Sequence, residues 1–162
     1  MDLSKYVIIH FATHGELAGF IKGQNEPFLV LTPPDSGTVD NDGLLTTSEI
    51  MNLDNNAEIV ILSACNTASD DIKRSEGFSG LARAFLYSGS KSVLVSNWYV
   101  ETFAAKELTT GFIKEIKNKP NISTANALSG SMKNFIQNNK DKSHPFYWAP
   151  FVIVGINSNI NL

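Results

Sequence analysis

The stretch I-V-I-L-S-A-C-N-T, residues 59 to 67, decides how this chain is read. Its branched apolar run stops abruptly at small and polar residues, the pattern of a short strand buried on both faces of a parallel sheet. V-I-I-H-F-A-T-H-G, residues 7 to 15, repeats the pattern and ends at His14 and Gly15. In open α/β sheets, chemistry collects at the carboxyl ends of such strands. Two strand ends are therefore expected to present an imidazole and the chain's single thiol, Cys65. A free thiol is only slightly ionised at neutral pH, and a neighbouring base turns it into a nucleophile. His14 is the candidate general base and Cys65 the candidate nucleophile. The competing account of a lone Cys after an apolar run is a small buried hydrophobe.

Outward from these two strands the pattern alternates as an α/β domain does. The first strand is predicted over residues 6 to 12. Phe28 to Leu31, the turn-rich T-P-P-D-S-G at 32 to 37 and D-G-L-L-T at 42 to 46 predict a small hairpin beside the His loop. Thr46 and Glu49 have capping-box spacing, opening a short helix through Leu53 ahead of the second strand at residues 58 to 63. After Cys65 the polar run to Ser75 marks an exposed loop. Phe78, Leu81, Ala82, Phe85 and Leu86 then form one apolar helical stripe, closed by Gly89. A third parallel strand is expected at 91 to 97. A helix at 101 to 117 should bury Phe103, Leu108, Phe112 and Ile116 before Pro120 stops it. Another at 123 to 137 uses Ala125, Leu128, Met132, Phe135 and Ile136. A polar loop then leads to a final strand at 151 to 156.

Composition narrows the functional classes. At 162 residues the chain fits one domain, residues 1 to 162. With 43% hydrophobic and 18% charged residues and a formal charge of −3, it resembles an ordinary globular protein rather than a disordered or nucleic-acid-binding one. One Cys and three His give neither a disulfide nor a zinc spacing, so no metal and no cofactor is expected. No apolar stretch approaches a membrane span and the first residues lack a signal peptide's pattern, so a cytoplasmic setting is expected. No phosphate-cradling glycine motif occurs. G-F-S-G-L at 77 to 81 lacks the second Gly of a nucleophile elbow.

His14 and Cys65 are 51 residues apart, close to the roughly 50-residue His-to-Cys offset of caspases. Five segments resemble, in order, the signature blocks of CHAT domains, which are caspase-like cysteine peptidase domains related to separase and gingipains. They are H-F-A-T-H-G (10 to 15), L-S-A-C-N-T (62 to 67), E-G-F-S-G-L-A-R-A-F-L-Y-S-G (76 to 89), V-S-N-W-Y-V (95 to 100) and H-P-F-Y-W-A-P-F-V-I-V-G (144 to 155). The resemblance implies a three-layer caspase-like α/β fold with a mostly parallel central sheet. It also implies two strands ahead of the first one seen here, so the chain reads as a C-terminal catalytic portion lacking the N-terminal strands. It further implies a cysteine endopeptidase with a His14–Cys65 dyad, a protein or peptide substrate, and regulation by tetratricopeptide-repeat or other sensor modules, often in bacterial defence or signalling.

The remaining site residues divide between chemical and structural roles. In caspase-like sites the amides of Gly15 and Cys65 would form the oxyanion hole, an assignment implied by the resemblance. Thr13 either fixes the imidazole or caps the strand. Relatives carry Asp after the S-x-W-x-V block to read a basic substrate side chain; here Glu101 stands there, and it fits equally as an acidic residue at a helix start. Asp70, Asp71 and Glu76 are other acidic pocket candidates. His10, inside the strand, is expected to be a hydrogen-bonded histidine with no chemistry. Two rival readings stay open: a catalytically inactive or incomplete CHAT domain that acts as an interaction module, and an unrelated flavodoxin-like binding domain.

Overall fold

The computed structural model describes residues 3–36, 38, 42–63 and 72–161, except the side chains of 72–79. Cys65, Asp70 and Asp71 lie outside the described residues, as does the side chain of Glu76. In chain order the elements are β1 (Ile8–Phe11), β2 (Gly15–Glu16), β3 (Phe28–Val30), β4 (Leu44–Thr46), α1 (Thr47–Met51), β5 (Ile59–Leu62), α2 (Ile72–Tyr87) and β6 (Ser92–Ser96). They continue with α3 (Thr102–Asn118), β7 (Ile122–Ser123), α4 (Thr124–Asn138), a 3-10 turn (Lys140–Lys142), α5 (Pro145–Trp148), β8 (Phe151–Gly155) and β9 (Asn159–Ile160).

Four strands form the central sheet in the order β1-β5-β6-β8. β1, β5 and β6 are parallel, and β8 runs antiparallel to β6. Alternation of side chains across the pleat divides the core in two. Val60 and Leu62 of β5 and Val93 and Val95 of β6 face Leu81, Phe85 and Ile50 of α2 and α1. Ile59, Ile61 and Leu94 face Leu108, Phe112 and Phe135 of α3 and α4. β5 and β6 are buried on both faces, which is why I-V-I-L of β5 and the V-L-V between Ser92 and Ser96 of β6 run apolar without alternation. This is the mostly parallel, three-layer α/β arrangement expected of a caspase-like fold. No helix among the described residues is long and apolar enough to cross a membrane.

The expected hairpin is β3 paired antiparallel with β4, and β2 extends it: Gly15 lies opposite Leu29. That third strand, only two residues long, ties the segment after His14 to the hairpin. The capping box forms as predicted, with the Glu49 carboxylate accepting from the Thr46 N–H and the Thr46 hydroxyl capping the Glu49 N–H. At the end of α2 the Ser90 N–H reaches the Phe85 carbonyl and the Gly89 N–H reaches that of Leu86, the Schellman pattern. Gly89 has φ +115°, and a Cβ there would stand 2.1 Å from the Asn55 carbonyl oxygen. Backbone conformation and close approach both demand glycine.

The second helical layer departs from the predicted stripes. In α3, Ala104 is buried with Leu108, Phe112 and Ile116, while Phe103 is exposed. In α4 the buried residues are Thr124, Ala127, Leu128, Ser131 and Phe135, so the inward face is rotated away from Ala125 and Ile136. Ser131 meets Gly111 of α3, where a Cβ would lie 2.5 Å from its hydroxyl, and donates to the Leu108 carbonyl at 2.7 Å. A close helix–helix approach needs small residues, which apolar periodicity does not count. The loop expected after α4 contains the 3-10 turn and, beyond it, the short α5. His144 is the N-cap of α5, accepting from the Phe146 N–H through Nδ1, and Pro145 sits at N1.

Candidate active site

β1 and β5 are neighbours in register, with Phe11 opposite Leu62. The Ser63 N–H donates to the Phe11 carbonyl at 3.2 Å, carrying the pairing one residue past β5. His14 lies three residues beyond Phe11, and Cys65 lies three residues beyond Leu62. β1 and β5, the strands that precede them, thus end side by side at the same carboxyl edge of the sheet.

His14 is exposed, but its backbone is fixed. Its carbonyl accepts from the Val30 N–H at 2.8 Å. The Thr13 hydroxyl donates to the Val30 carbonyl, so of the two roles open to Thr13 it performs the structural one, tying the loop to β3. The Val30-to-His14 bond makes Gly15 and Leu29 a non-hydrogen-bonded pair of the antiparallel ladder, and in such a pair the backbone N–H points away from the partner strand. The Gly15 amide is thus turned away from β3.

His10, on β1, faces the α3 side of the sheet and bonds through Nε2 to the Ser63 hydroxyl at 2.8 Å. Desolvation lowers its pKa from the usual 6.5, so it is neutral at physiological pH. The bond laces the strand that leads to His14 to the one that leads to Cys65. His10 is hydrogen-bonded, as expected of it, but its side chain is exposed in a groove rather than buried.

That groove, about 510 Å³ in volume, runs between the ends of β1 and β5 and the first turns of α3. His10, Thr13, His14 and Ser63 form one wall, and Tyr99, Val100, Thr102 and Lys106 belong to the other. Glu101 is the N-cap residue of α3 but makes no capping bond with its side chain. Its two carboxylate oxygens instead take Lys142 Nζ at 2.8 and 3.1 Å. That hydrogen bond, with the charge of Glu101, raises the Lys142 pKa. The ammonium also lies 5.0 Å from the Tyr147 ring centroid and 5.8 Å from that of the exposed Phe103. Lys106 and Lys142 carried no signal in the sequence pattern. A surface lysine on a helix or in a polar loop looks alike whether or not a groove lies beside it.

Comparison with known proteins adds two findings. A family model for the CHAT domain matches residues 1–156. Tetratricopeptide repeat protein 28 of Mus musculus is 27% identical over 189 aligned residues, covering 98% of this chain and 7% of that protein. Its Homo sapiens counterpart is 31% identical over 118, covering 73% of this chain and 5% of that protein. The chain thus spans a small fraction of the length of these relatives.

Proposed function

Since this chain belongs to the CHAT domain family, a family of caspase-like peptidase type, we propose that it is a cysteine endopeptidase domain in which His14 is the general base and Cys65 the nucleophile. The observation that supports this reading is the β1–β5 register, which ends the strands preceding His14 and Cys65 at one edge of the sheet. His14 takes the Cys65 thiol proton as sulfur attacks the substrate carbonyl carbon. The Gly15 and Cys65 amides stabilise the oxyanion. The imidazolium then protonates the departing amine, leaving an acyl-enzyme on Cys65. Water, deprotonated by His14, hydrolyses that thioester and restores the thiol. In the parent protein a tetratricopeptide-repeat module regulates this site, a proposal supported by the names of the two relatives.

The test is peptide cleavage by the chain, alone and within its parent protein. Cys65→Ala and His14→Ala should each reduce turnover by on the order of 10⁴-fold or more, and the double variant should lose little beyond that, because catalytic partners act as a unit. Undiminished turnover in Cys65→Ala would overturn the assignment. One feature favours a second reading, an interaction module: β1 is the edge strand of the described sheet, and Tyr6 and Val7 leading into it are exposed. Failure of the parent protein to react with a cysteine-directed peptidyl probe, in all activation states, would favour that alternative.

A further inference from the structure

Among the described residues, charge in the groove beside His14 is one-sided. Among the described residues that line it are two imidazoles, several hydroxyls and one fixed cation, Lys106, with no carboxylate. Lys106 is exposed on the first turns of α3. Its helical neighbours three and four residues away are Phe103, Thr109, Thr102 and Thr110, so no acid stands within ion-pairing reach along the helix. Among the described residues the ion pairs are Lys91–Glu58, Lys119–Glu115 and Lys142–Glu101.

Two of the hydroxyls near Lys106 are committed to the helix backbone. Thr109 and Thr110 donate to the carbonyls of Ala105 and Lys106 at 2.7 Å each. The carboxylate best placed by sequence to attract a cation, Glu101, already holds Lys142. Among the described residues, a basic side chain entering here would meet the Lys106 ammonium and find the nearby Glu101 carboxylate already held by Lys142. An acidic one would meet an ammonium with no carboxylate partner among the described residues, beside apolar atoms of Val100 and Ala105 that can cover its methylenes.

We propose that this groove is a substrate subsite that takes an acidic side chain of the peptide, Glu or Asp, adjacent to the scissile bond, with Lys106 as its counter-charge. The proposal rests on the peptidase reading for its setting, and it makes Lys106 a specificity residue with no part in bond cleavage. The substrate is then an acidic segment of a protein.

Two measurements on the full chain test it. The first is binding of fluorescein-labelled hexapeptides, identical but for Glu, Gln or Lys at one central position, to the Cys65→Ala variant. The Glu peptide should bind about five- to tenfold tighter than the Gln peptide, the size of one partly screened charge-assisted hydrogen bond. The Lys peptide should bind weakest. Lys106→Glu should reverse the order and Lys106→Met should flatten it. The second is cleavage of the same peptides by the chain with Cys65 intact. Equal binding of the three peptides, tighter binding of the Lys peptide, no binding at all, or an order unmoved by Lys106→Glu overturns the subsite. Acid-selective binding without any cleavage supports the subsite and counts against the peptidase reading. Cleavage that ignores the varied residue does the reverse.

Discussion

At the amino ends of β5 and β6, polar groups close on the backbone, whereas at the carboxyl ends of β1 and β5 they line a groove. On the amino side, the buried Asn55 accepts from the Ala57 N–H at 3.0 Å, and Ser90 and Ser92 donate to the carbonyls of Phe85 and Glu58 at 2.8 Å. Gly89 and Gly155 stand where a Cβ would strike backbone oxygens of Asn55 and Lys91 at 2.1 and 2.5 Å. On the carboxyl side, His10 and His14 are exposed and share their groove with Lys106. One end of the sheet uses its polarity to define the backbone. The other leaves side chains accessible to a ligand.

The sharpest break of this contrast pairs Gly89→Ala with His14→Ala. Gly89→Ala imposes an L side chain at φ +115° and a clash with Asn55, costing roughly 2–4 kcal/mol and a fall in Tm on the order of 10 °C. Peptide cleavage per folded molecule should be unchanged. His14→Ala should leave Tm nearly untouched while removing cleavage. Thermal melts and active-site titration of both variants check this, and a Gly89→Ala protein that melts normally would show that the amino end is not the rigid one.

Glu26 gives a middle-sized test, because it anchors the hairpin that positions Gly15 and His14. Its carboxylate accepts from the Thr47 hydroxyl at 2.7 Å and from the Ser48 N–H and hydroxyl at 2.8 and 2.7 Å. The hydrogen bonds from Ser48 and Thr47 hold its pKa below the usual 4.5. A depressed carboxylate pKa gives stability that is present above pH 4.5 and is lost as pH falls through the lower folded value. Glu26→Gln should therefore destabilise the protein at pH 7 by about 0.5–1 kcal/mol. The gap to the unsubstituted chain should close as the pH is lowered past 4.5. Denaturant melts at several pH values read it directly, and a pH-independent gap would assign the effect to shape rather than charge.

The smallest effect is expected at His10. Its folded pKa lies below 6.5, so the folded state prefers the neutral ring. That contribution is complete above pH 6.5 and is lost as pH falls toward and through the folded value. His10→Gln should remove a shallow loss of stability between pH 7 and pH 5. Because the ring is exposed, solvent screening keeps the slope small. If His10→Gln also lowers cleavage at pH 7.5, where protonation plays no part, the His10–Ser63 bond positions the two strand ends as well as stabilising them.

Much of the framework was legible because its signals are local. The apolar runs of β1, β5 and β6 end where small and polar residues begin, and the Thr46–Glu49 box and Gly89 mark helix ends by chemistry within a few residues. The reading failed where a partner distant in sequence chose the outcome. Ser131 is buried because Gly111, twenty residues earlier, lets α4 approach α3. Phe103 lies off the buried face of α3, which Ala104 and Leu108 occupy, and meets Lys142 instead. β2 forms because β3, a dozen residues later, is there to receive it.

The same division holds for the site. The ends of β1 and β5 just ahead of His14 and Cys65, and the CHAT-like blocks, could be read from residue order, since a short apolar run bounded by polar residues already says where a buried strand stops. That the two strands are adjacent and in register, that Thr13 serves β3, that Glu101 is taken by Lys142 and that Lys106 borders the groove were decided by packing. Each depends on which distant segments meet. Backbone hydrogen bonds and core burial settle that choice over the whole domain at once, and no window of sequence contains it.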